Sequence, residues 1–220
     1  MNTSSPGFAW ARLLGIAREL IDQVNAEQSV IEQWTLGGGT AMMIQIDHRE
    51  SHDVDIFLDD PQLLPLIDPQ KRDFRFDIAP SAQQGDGARF LKLSFDGIGE
   101  IDFIVAAAMT ASPTTEVFIE NQTVFLDTIP EVITKKVCYR GSSIRPRDIF
   151  DIAAAGEQHG VAVIEALRTH RAEVSRALTT MDRLNPEFVN GAVAQLSIKA
   201  RYASLAKTSL EKAMRLLQAV

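Results

Sequence analysis

The sequence Leu36-Gly37-Gly38-Gly39-Thr40 is followed about a dozen residues later by Ser51-His52-Asp53-Val54-Asp55-Ile56-Phe57. Acidic and apolar residues alternate from Asp53 onward, which predicts a β-strand with the carboxylates of Asp53 and Asp55 on one face, their Cα atoms about 6.6 Å apart. Two carboxylates placed in this way can share a divalent cation, and Mg²⁺ prefers a few carboxylates together with phosphate oxygens and water. The pair therefore predicts a Mg²⁺ site, with Mn²⁺ as the alternative ion, and a nucleoside triphosphate as its ligand.

The three glycines predict the other half of such a site. Residues without a Cβ atom let backbone N–H groups approach phosphate, and the helix predicted from Thr40 to about Asp47 would attract anions at its N-terminus. Gly38, Gly39 and Thr40 are therefore candidate phosphate-binding residues. A glycine run by itself is more typical of a tight strand-to-helix turn, but its place ahead of the paired acids favours the phosphate interpretation.

A helix-opening glycine pair, an Asp-x-Asp pair and a third acid on a later strand resemble the nucleotidyltransferase fold of the polymerase-beta type. The third acid is Asp102, within Glu100-Ile101-Asp102-Phe103-Ile104-Val105. More narrowly, residues 34–155 resemble the AbiEii/AbiGii toxin family of bacterial toxin–antitoxin systems. The motifs that carry this resemblance are Gly38-Gly39-Thr40-Ala41, His48-Arg49-x-Ser51-x-Asp53-x-Asp55, Lys136 and Arg147-Asp148-Ile149-Phe150-Asp151.

The resemblance implies an enzyme that transfers a nucleoside monophosphate from a triphosphate to a nucleic-acid acceptor and releases pyrophosphate. In some members the acceptor is the 3′ end of tRNA, and a cognate antitoxin is encoded separately. Asp102 would join Asp53 and Asp55 as a metal ligand, and Lys136 and Asp148 would complete the catalytic set, Lys136 as a cation for the phosphates. The implied nucleotide-binding residues are Gly38, Gly39, Thr40, Arg49, Ser51, Lys136, Arg147 and Asp151.

Several of these residues have a simpler interpretation. Arg49 can orient the two aspartates or contact phosphate, but it can equally form an ion pair with either acid. The motif from Arg147 to Asp151 is also typical of a set of salt bridges within one helix. His48 and His52 are four residues apart, but Arg49 stands where a zinc protease helix has glutamate, so a zinc site is not favoured.

The predicted fold class is α+β: a nucleotidyltransferase-fold mixed sheet with flanking helices, followed by a C-terminal helical bundle. The catalytic domain is predicted over residues 1–126 and the helical domain over 127–220. Strands are predicted at 31–36, 53–58, 90–95, 99–105, 117–119 and 124–126, with a loop at 83–87. Asp96-Gly97 is predicted to be a hairpin turn that sets the strand at 99–105 antiparallel beside the one at 90–95. Helices are predicted from Ser4-Ser5-Pro6 to about Glu27, from Pro130, from Pro146, over 161–181 and over about 196–217.

Composition and charge restrict the class of protein further. The chain has 220 residues, 45% of them hydrophobic, and Cys138 is its only cysteine, which excludes an internal disulfide and agrees with a cytoplasmic location. No signal peptide and no run of membrane-spanning length is recognisable. Residues 1–120 hold 8 basic and 19 acidic side chains, net −11, whereas residues 121–220 hold 14 and 10, net +4. The basic half predicts contact with phosphate, of the nucleotide or of an RNA acceptor.

Three other functions remain open at this point. A glycosyltransferase can use an Asp-x-Asp pair for a metal-bound nucleotide sugar, although the order of glycines and acids argues against it. A nucleotide-binding module of the same fold without catalysis is the second alternative, and the presence of all three acids argues against that. The third is a nucleotidyltransferase of this fold that modifies a protein hydroxyl.

Overall fold

The structure is a computed structural model that describes residues 9–26 and 28–220. Its centre is a seven-stranded mixed sheet with the strand order β3-β4-β5-β2-β1-β7-β6. The strands are β1 (Thr35–Gly37), β2 (Val54–Leu58), β3 (Ala82–Gly85), β4 (Phe90–Phe95), β5 (Gly99–Val105), β6 (Thr114–Ile119) and β7 (Gln122–Asp127). The predicted helix start at Ser4–Pro6 and helix end near Glu27 lie outside the described residues.

The central strands bring the predicted acids together. β2 runs parallel to β5 with Asp55 opposite Asp102, and antiparallel to β1 with Asp55 opposite Gly37. β4 runs antiparallel to β5, and the two are joined by the hairpin predicted at Asp96-Gly97. Because side chains alternate between the two faces of a strand, this register places the acids of β2 and β5 on one face of the sheet.

The opposite face of the sheet forms the apolar core of the first part of the chain. Its side chains are fully or almost fully buried, and they come from alternate positions of the central strands: Leu36, Val54, Ile56, Leu58, Leu91, Leu93, Phe95, Ile101 and Phe103. Helix α1 (Ala9–Asn25) packs on β2 and β5 through residues at helical spacing such as Leu13, Leu20 and Val24. Because the apolar positions of these strands face the core, the polar positions that alternate with them lie on the other face of the sheet.

The chain divides into two compact units. The first contains residues up to Thr40, Ser51–Ala108 and Thr115–Leu126, and the second contains Ala41–Glu50, Met109–Thr114 and Asp127–Val220. The helices after α1 are α2 (Gly38–Ile46), α3 (Leu64–Ile67), α4 (Ile129–Arg140), α5 (Pro146–Leu167), α6 (Arg171–Asp182), α7 (Pro186–Val193) and α8 (Ser209–Gln218). The division into domains at residue 126 stays a prediction, because compactness does not test whether either part folds by itself.

The predicted α+β class is confirmed, but three local predictions are wrong. Residues 83–87, predicted as a loop, lie largely in the edge strand β3, because Gln83 and its neighbours pair with β4 despite their polar composition. The helix predicted over 161–181 is interrupted by a 3₁₀ turn at Arg168–His170. The helix predicted over 196–217 consists of a 3₁₀ segment, Ala200–Lys207, and the separate helix α8. None of the helices in the described part of the chain is long and apolar enough to cross a membrane.

Candidate active site

The glycine run and the acidic strand are in direct steric contact. Gly38 begins α2 with φ +63°, a conformation that residues with a side chain rarely adopt. A Cβ atom built on Gly38 would lie 1.7 Å from Oδ2 and 2.6 Å from Cγ of Asp55. The Asp55 side chain therefore rests against the start of the helix in space that only glycine leaves open. The glycine run and the acidic strand therefore form one site.

Replacing Gly38 with alanine is expected to displace the Asp55 carboxylate and to lower the rate of nucleotidyl transfer about 10²-fold, since misplacing a catalytic group by about 1 Å can cost that much. Gly97→Ala is the matched control. Gly97 also has a positive φ, +71°, but nothing lies within 4 Å of its Cβ position. Both variants should lose about 1–2 kcal/mol of stability from backbone strain. Steady-state rates would tell them apart, and an equal loss of rate in both would contradict the steric coupling.

Thr40 fixes the segment that leads into the acidic strand. Its side chain is fully buried, and its hydroxyl donates a hydrogen bond to the backbone carbonyl of Asp53 and lies 3.0 Å from the Ser51 hydroxyl. The Thr40 hydroxyl is thus engaged within the protein. The backbone N–H groups at the start of α2 remain the donors through which this segment would bind phosphate.

Asp55 and Asp102 form the centre of an acidic face on the sheet. They are register partners on parallel strands, and both side chains are partly exposed. Burial raises the pKa of Asp102, and the negative charge of Asp55 raises it further, whereas the nearby Lys92 ammonium opposes the shift. The repulsion between the two carboxylates, which contributes to this raised pKa, is what a bound divalent cation would relieve.

Three residues of this face, Lys92, Ser94 and Glu100, are not among the predicted site residues. Lys92 lies opposite Asp102 on the antiparallel strand β4; its Nζ is 3.0 Å from Asp102 Oδ2 and also contacts the Glu100 carboxylate. Ser94 Oγ lies 3.2 Å from the second Glu100 oxygen. Period-two alternation along β4 and β5 could have placed Lys92 and Glu100 on this face, but the pairing of the two strands in this register could not be read from either strand alone.

Asp53 is held differently from the other two acids. It lies just before β2, and its Oδ1 accepts a hydrogen bond of 3.1 Å from the backbone N–H of Glu100. This bond ties the end of the loop to the first residues of β5. One Asp53 oxygen is therefore used inside the fold, and the other carries the predicted role in binding a metal.

The donor set of this face fits Mg²⁺ or Mn²⁺, which prefer oxygen ligands. Among the described residues, no three His, Cys, Asp or Glu side chains are grouped so as to hold an ion by themselves. Mg²⁺ does not need such a group, because it commonly binds one or two carboxylates together with substrate phosphates and water. Asp55 and Asp102 would supply those carboxylates, and the metal-ligand roles of Asp53, Asp55 and Asp102 all stay predictions.

The second unit contains a buried network of charges centred on Asp151, which is 0% exposed. Its carboxylate accepts hydrogen bonds from Arg49 Nε at 2.7 Å and from a terminal Arg49 nitrogen at 2.9 Å, and it lies 2.9 Å from His48 Nε2. Lys136 Nζ lies 3.0 Å from its second oxygen. Burial alone would raise the pKa of Asp151, but Arg49 and Lys136 hold it well below the ordinary value.

Lys136 joins Asp151 to a second buried acid. Its Nζ is 2.8 Å from Asp148 Oδ1, and the other Asp148 oxygen accepts the backbone N–H of Arg145, which caps the start of α5. Burial would raise the pKa of Asp148, but the charges of Lys136 and Arg140 lower it. Asp148 and Asp151 are thus salt-bridged, but their partners Lys136, Arg140 and Arg49 lie outside α5 rather than in the same helix. The predicted roles of Lys136 and Asp148 in catalysis stay predictions.

The neighbouring basic residues have different environments. Lys135 is 6% exposed, and its Nζ lies 2.8 Å from Asp127 and 3.4 Å from Glu131. It is as deeply buried as Lys136, so a comparison of the two lysines measures stability as well as catalysis. Arg145 and Arg147 have exposed side chains at the start of α5. Of the predicted nucleotide-binding residues in the second unit, Arg147 is thus the one placed to meet an external phosphate.

A mixed sheet of this order, with a glycine-opened helix against paired acids, defines a nucleotidyltransferase fold. JHP933 from Helicobacter pylori is similar in structure, with 15% sequence identity over 99% of this chain and 92% of that chain and a TM-score of 0.50. MenT4, a nucleotidyltransferase toxin from Mycobacterium tuberculosis H37Rv, is 17% identical over 98% of this chain and 86% of that chain, with a TM-score of 0.54. No curated protein matches the chain at the level of sequence.

Residues 20–217 match the family model of the nucleotidyl transferase AbiEii toxin of type IV toxin–antitoxin systems, and the chain belongs to that family. It is therefore a nucleotidyltransferase toxin whose substrate is a nucleoside triphosphate and whose partner is a cognate antitoxin. The resemblance stated from the motifs is confirmed. The interpretations as a glycosyltransferase and as a module without catalysis are wrong.

Proposed function

We propose that this toxin transfers a nucleoside monophosphate to a nucleic-acid acceptor, with the 3′ end of tRNA favoured, in a Mg²⁺-dependent reaction that releases pyrophosphate. The observation that carries the proposal is the contact between Gly38 and Asp55, together with the pairing of Asp55 with Asp102. It puts anion-binding backbone groups next to two carboxylates that suit a divalent cation.

The reaction joins an oxygen of the acceptor hydroxyl to the α-phosphorus of the triphosphate. The bond from that phosphorus to the oxygen that bridges to the β-phosphate breaks, pyrophosphate leaves with the electron pair, and the proton of the acceptor hydroxyl passes to water. Negative charge develops on the phosphate oxygens, so catalysis depends on positioning and electrostatic stabilisation. Asp55 and Asp102 would hold Mg²⁺, which, when bound, neutralises charge on the phosphates. The N–H groups of Gly39 and Thr40 would donate to the same phosphates.

The direct test is labelling by each of the four α-labelled nucleoside triphosphates in the presence of total cellular RNA and total protein. We expect one nucleotide to label RNA, with release of pyrophosphate, and EDTA to abolish the labelling. Label that appears in protein would favour protein nucleotidylation by the same site. Labelling of RNA that EDTA does not reduce would contradict the metal dependence.

An RNA acceptor is expected to bind with a steep dependence on salt. Residues 121–220 carry a net charge of +4, and phosphate contacts by such residues release counterions, so affinity should fall as salt rises from about 50 to 200 mM. Arg147→Ala should reduce the slope of log Kd against log salt concentration by about 1, and Arg145→Ala should act similarly. Arg183→Ala, at another exposed arginine of the second unit, is the control and should leave the slope unchanged. A flat salt response of the wild-type protein would exclude this mode of RNA binding.

A further inference from the structure

Lys92 lies within the acidic face and bridges two of its carboxylates. Its Nζ lies 3.0 Å from Asp102 Oδ2 and contacts Glu100 Oε2, and only 27% of its side chain is exposed. Asp102 is in turn the register partner of Asp55. Lys92 therefore forms an ion pair with Asp102, the same carboxylate that would bind the divalent cation in the proposed function.

The geometry differs from that of an ordinary surface ion pair. An exposed lysine paired with one acid contributes little and is easily replaced by water. Lys92 is instead fixed by strand pairing, because β4 places it opposite Asp102, while Glu100 is two residues away on the same face of β5. Strand pairing thus holds the ammonium between two acids.

Glu100 provides Lys92 with a second partner. Ser94 Oγ lies 3.2 Å from Glu100 Oε1, which orients that carboxylate, and Lys92 contacts the other oxygen. If the ammonium leaves Asp102, it can keep its contact with Glu100. Lys92 can thus release Asp102 by breaking one ion pair, without any rearrangement of the sheet.

We propose that Lys92 is a positioning residue of the acidic site, which occupies the Asp102 carboxylate when no divalent cation is present, gives it up when a cation binds, and so sets the concentration at which the site fills. The inference rests on the metal dependence proposed above. It follows from Coulomb repulsion, because a lysine and a divalent cation cannot share one carboxylate without opposing each other. In the absence of metal, the same lysine offsets the repulsion among Asp55, Glu100 and Asp102.

The test is direct measurement of Mn²⁺ binding to the full chain without nucleotide, by the electron paramagnetic resonance signal of free Mn²⁺. Lys92→Met should lower the Kd for Mn²⁺ about tenfold, since a unit charge a few ångströms from a divalent ion has about that effect even in a water-like dielectric. Lys92→Arg keeps the charge and should stay close to the wild-type Kd. Lys71→Met is the matched control, because Lys71 belongs to the same unit, pairs with Asp68 at 3.9 Å and has a half-exposed side chain.

A second readout is thermal stability in EDTA. Lys92→Met should melt about 2–4 °C below the wild type, as expected for a loss of about 1 kcal/mol in a chain of this size, because three carboxylates lose their counter-charge. Added Mn²⁺ should raise its melting temperature more than that of the wild type. Lys92→Gln, whose side chain is uncharged and about as long as that of methionine, serves if the methionine variant does not fold.

The outcomes separate the two proposals. If Mn²⁺ binds Lys92→Met no more tightly than the wild type while nucleotidyl transfer still requires metal, the inference about Lys92 is overturned and the proposed function stands. If neither protein binds Mn²⁺ and transfer persists in EDTA, the metal dependence itself is overturned. Tighter Mn²⁺ binding by Lys92→Met, with Lys71→Met unchanged, supports both.

Discussion

Asp55→Asn is expected to lower the rate of nucleotidyl transfer by about 10³-fold or more, because a metal ion contributes several kcal/mol to the stabilisation of charge in the transition state. The fold should be retained. Asp55 is partly exposed, and its charge raises the pKa of the neighbouring Asp102, so removing that charge relieves repulsion. The melting temperature without metal should therefore be unchanged or slightly higher than that of the wild type.

The matched control is Asp59→Asn. Asp59 follows β2 directly but is exposed beyond its end. The Asp59→Asn variant should have the same rate and the same melting temperature as the wild type. Near-wild-type turnover by Asp55→Asn in single-turnover assays would show that this carboxylate does not bind the reacting metal, and the assignment of Asp102 would fail with it.

Asp151→Asn is expected to have the largest effect on stability, a loss of about 3–5 kcal/mol in the free energy of unfolding. The reason is burial: the carboxylate is 0% exposed and compensates Arg49 and Lys136, which are 7% and 8% exposed. The asparagine amide cannot balance either charge. A loss of this size corresponds to a melting temperature lower by about 10 °C, measurable by calorimetry. Glu211→Gln breaks an exposed ion pair with Arg215 and should cost about 0.5 kcal/mol or less.

The pH dependence of unfolding gives an independent check on the same residue. The pKa of Asp151 is lowered in the folded protein, so its contribution to stability is complete above the unfolded value of about 4 and is lost as the pH falls through the folded value. Wild-type stability should therefore fall steeply below about pH 4, and Asp151→Asn should show a flatter curve. Equal slopes would mean that Asp151 is not ionised in the folded protein.

The sequence predicted the elements whose pattern is local. The alternation around Asp55 and the hairpin at Asp96-Gly97 depend on neighbouring residues, and both have the predicted form. The order of glycines, paired acids and third acid indicated the nucleotidyltransferase fold, and the further motifs at His48–Asp55, Lys136 and Arg147–Asp151 identified the family. The hairpin predicted that β4 and β5 are neighbours but not the register that sets Lys92 opposite Asp102, and Lys92 was therefore missed.

The environments of the charged residues were the least predictable part. Lys135 and Lys136 are about 100° apart on one helix, a spacing which predicts that they cannot both face one cleft and that only Lys136→Ala loses activity. The two lysines do contact different acids. Both are nevertheless buried in ion pairs. Lys135 pairs with Asp127 and Glu131, and Lys136 pairs with Asp148 and Asp151. Helical spacing predicts the direction of a side chain but not how deeply it is buried. The comparison of Lys136→Ala with Lys135→Ala therefore needs a measurement of stability beside that of activity.

The network around Asp151 also constrains the order of folding. Asp151 lies 103 residues along the chain from His48 and 102 from Arg49, whereas Lys136 and Asp148 are only 12 apart. We therefore expect the pairing of α4 with α5 to form early and the closure that brings in residues 41–50 to follow it, since long loops close slowly. A fragment of residues 127–220 alone would keep Asp148, Asp151 and Lys136 but lose the Arg49 guanidinium and the His48 ring. We expect such a fragment to populate a loosely packed helical intermediate that only the preceding part of the chain can complete.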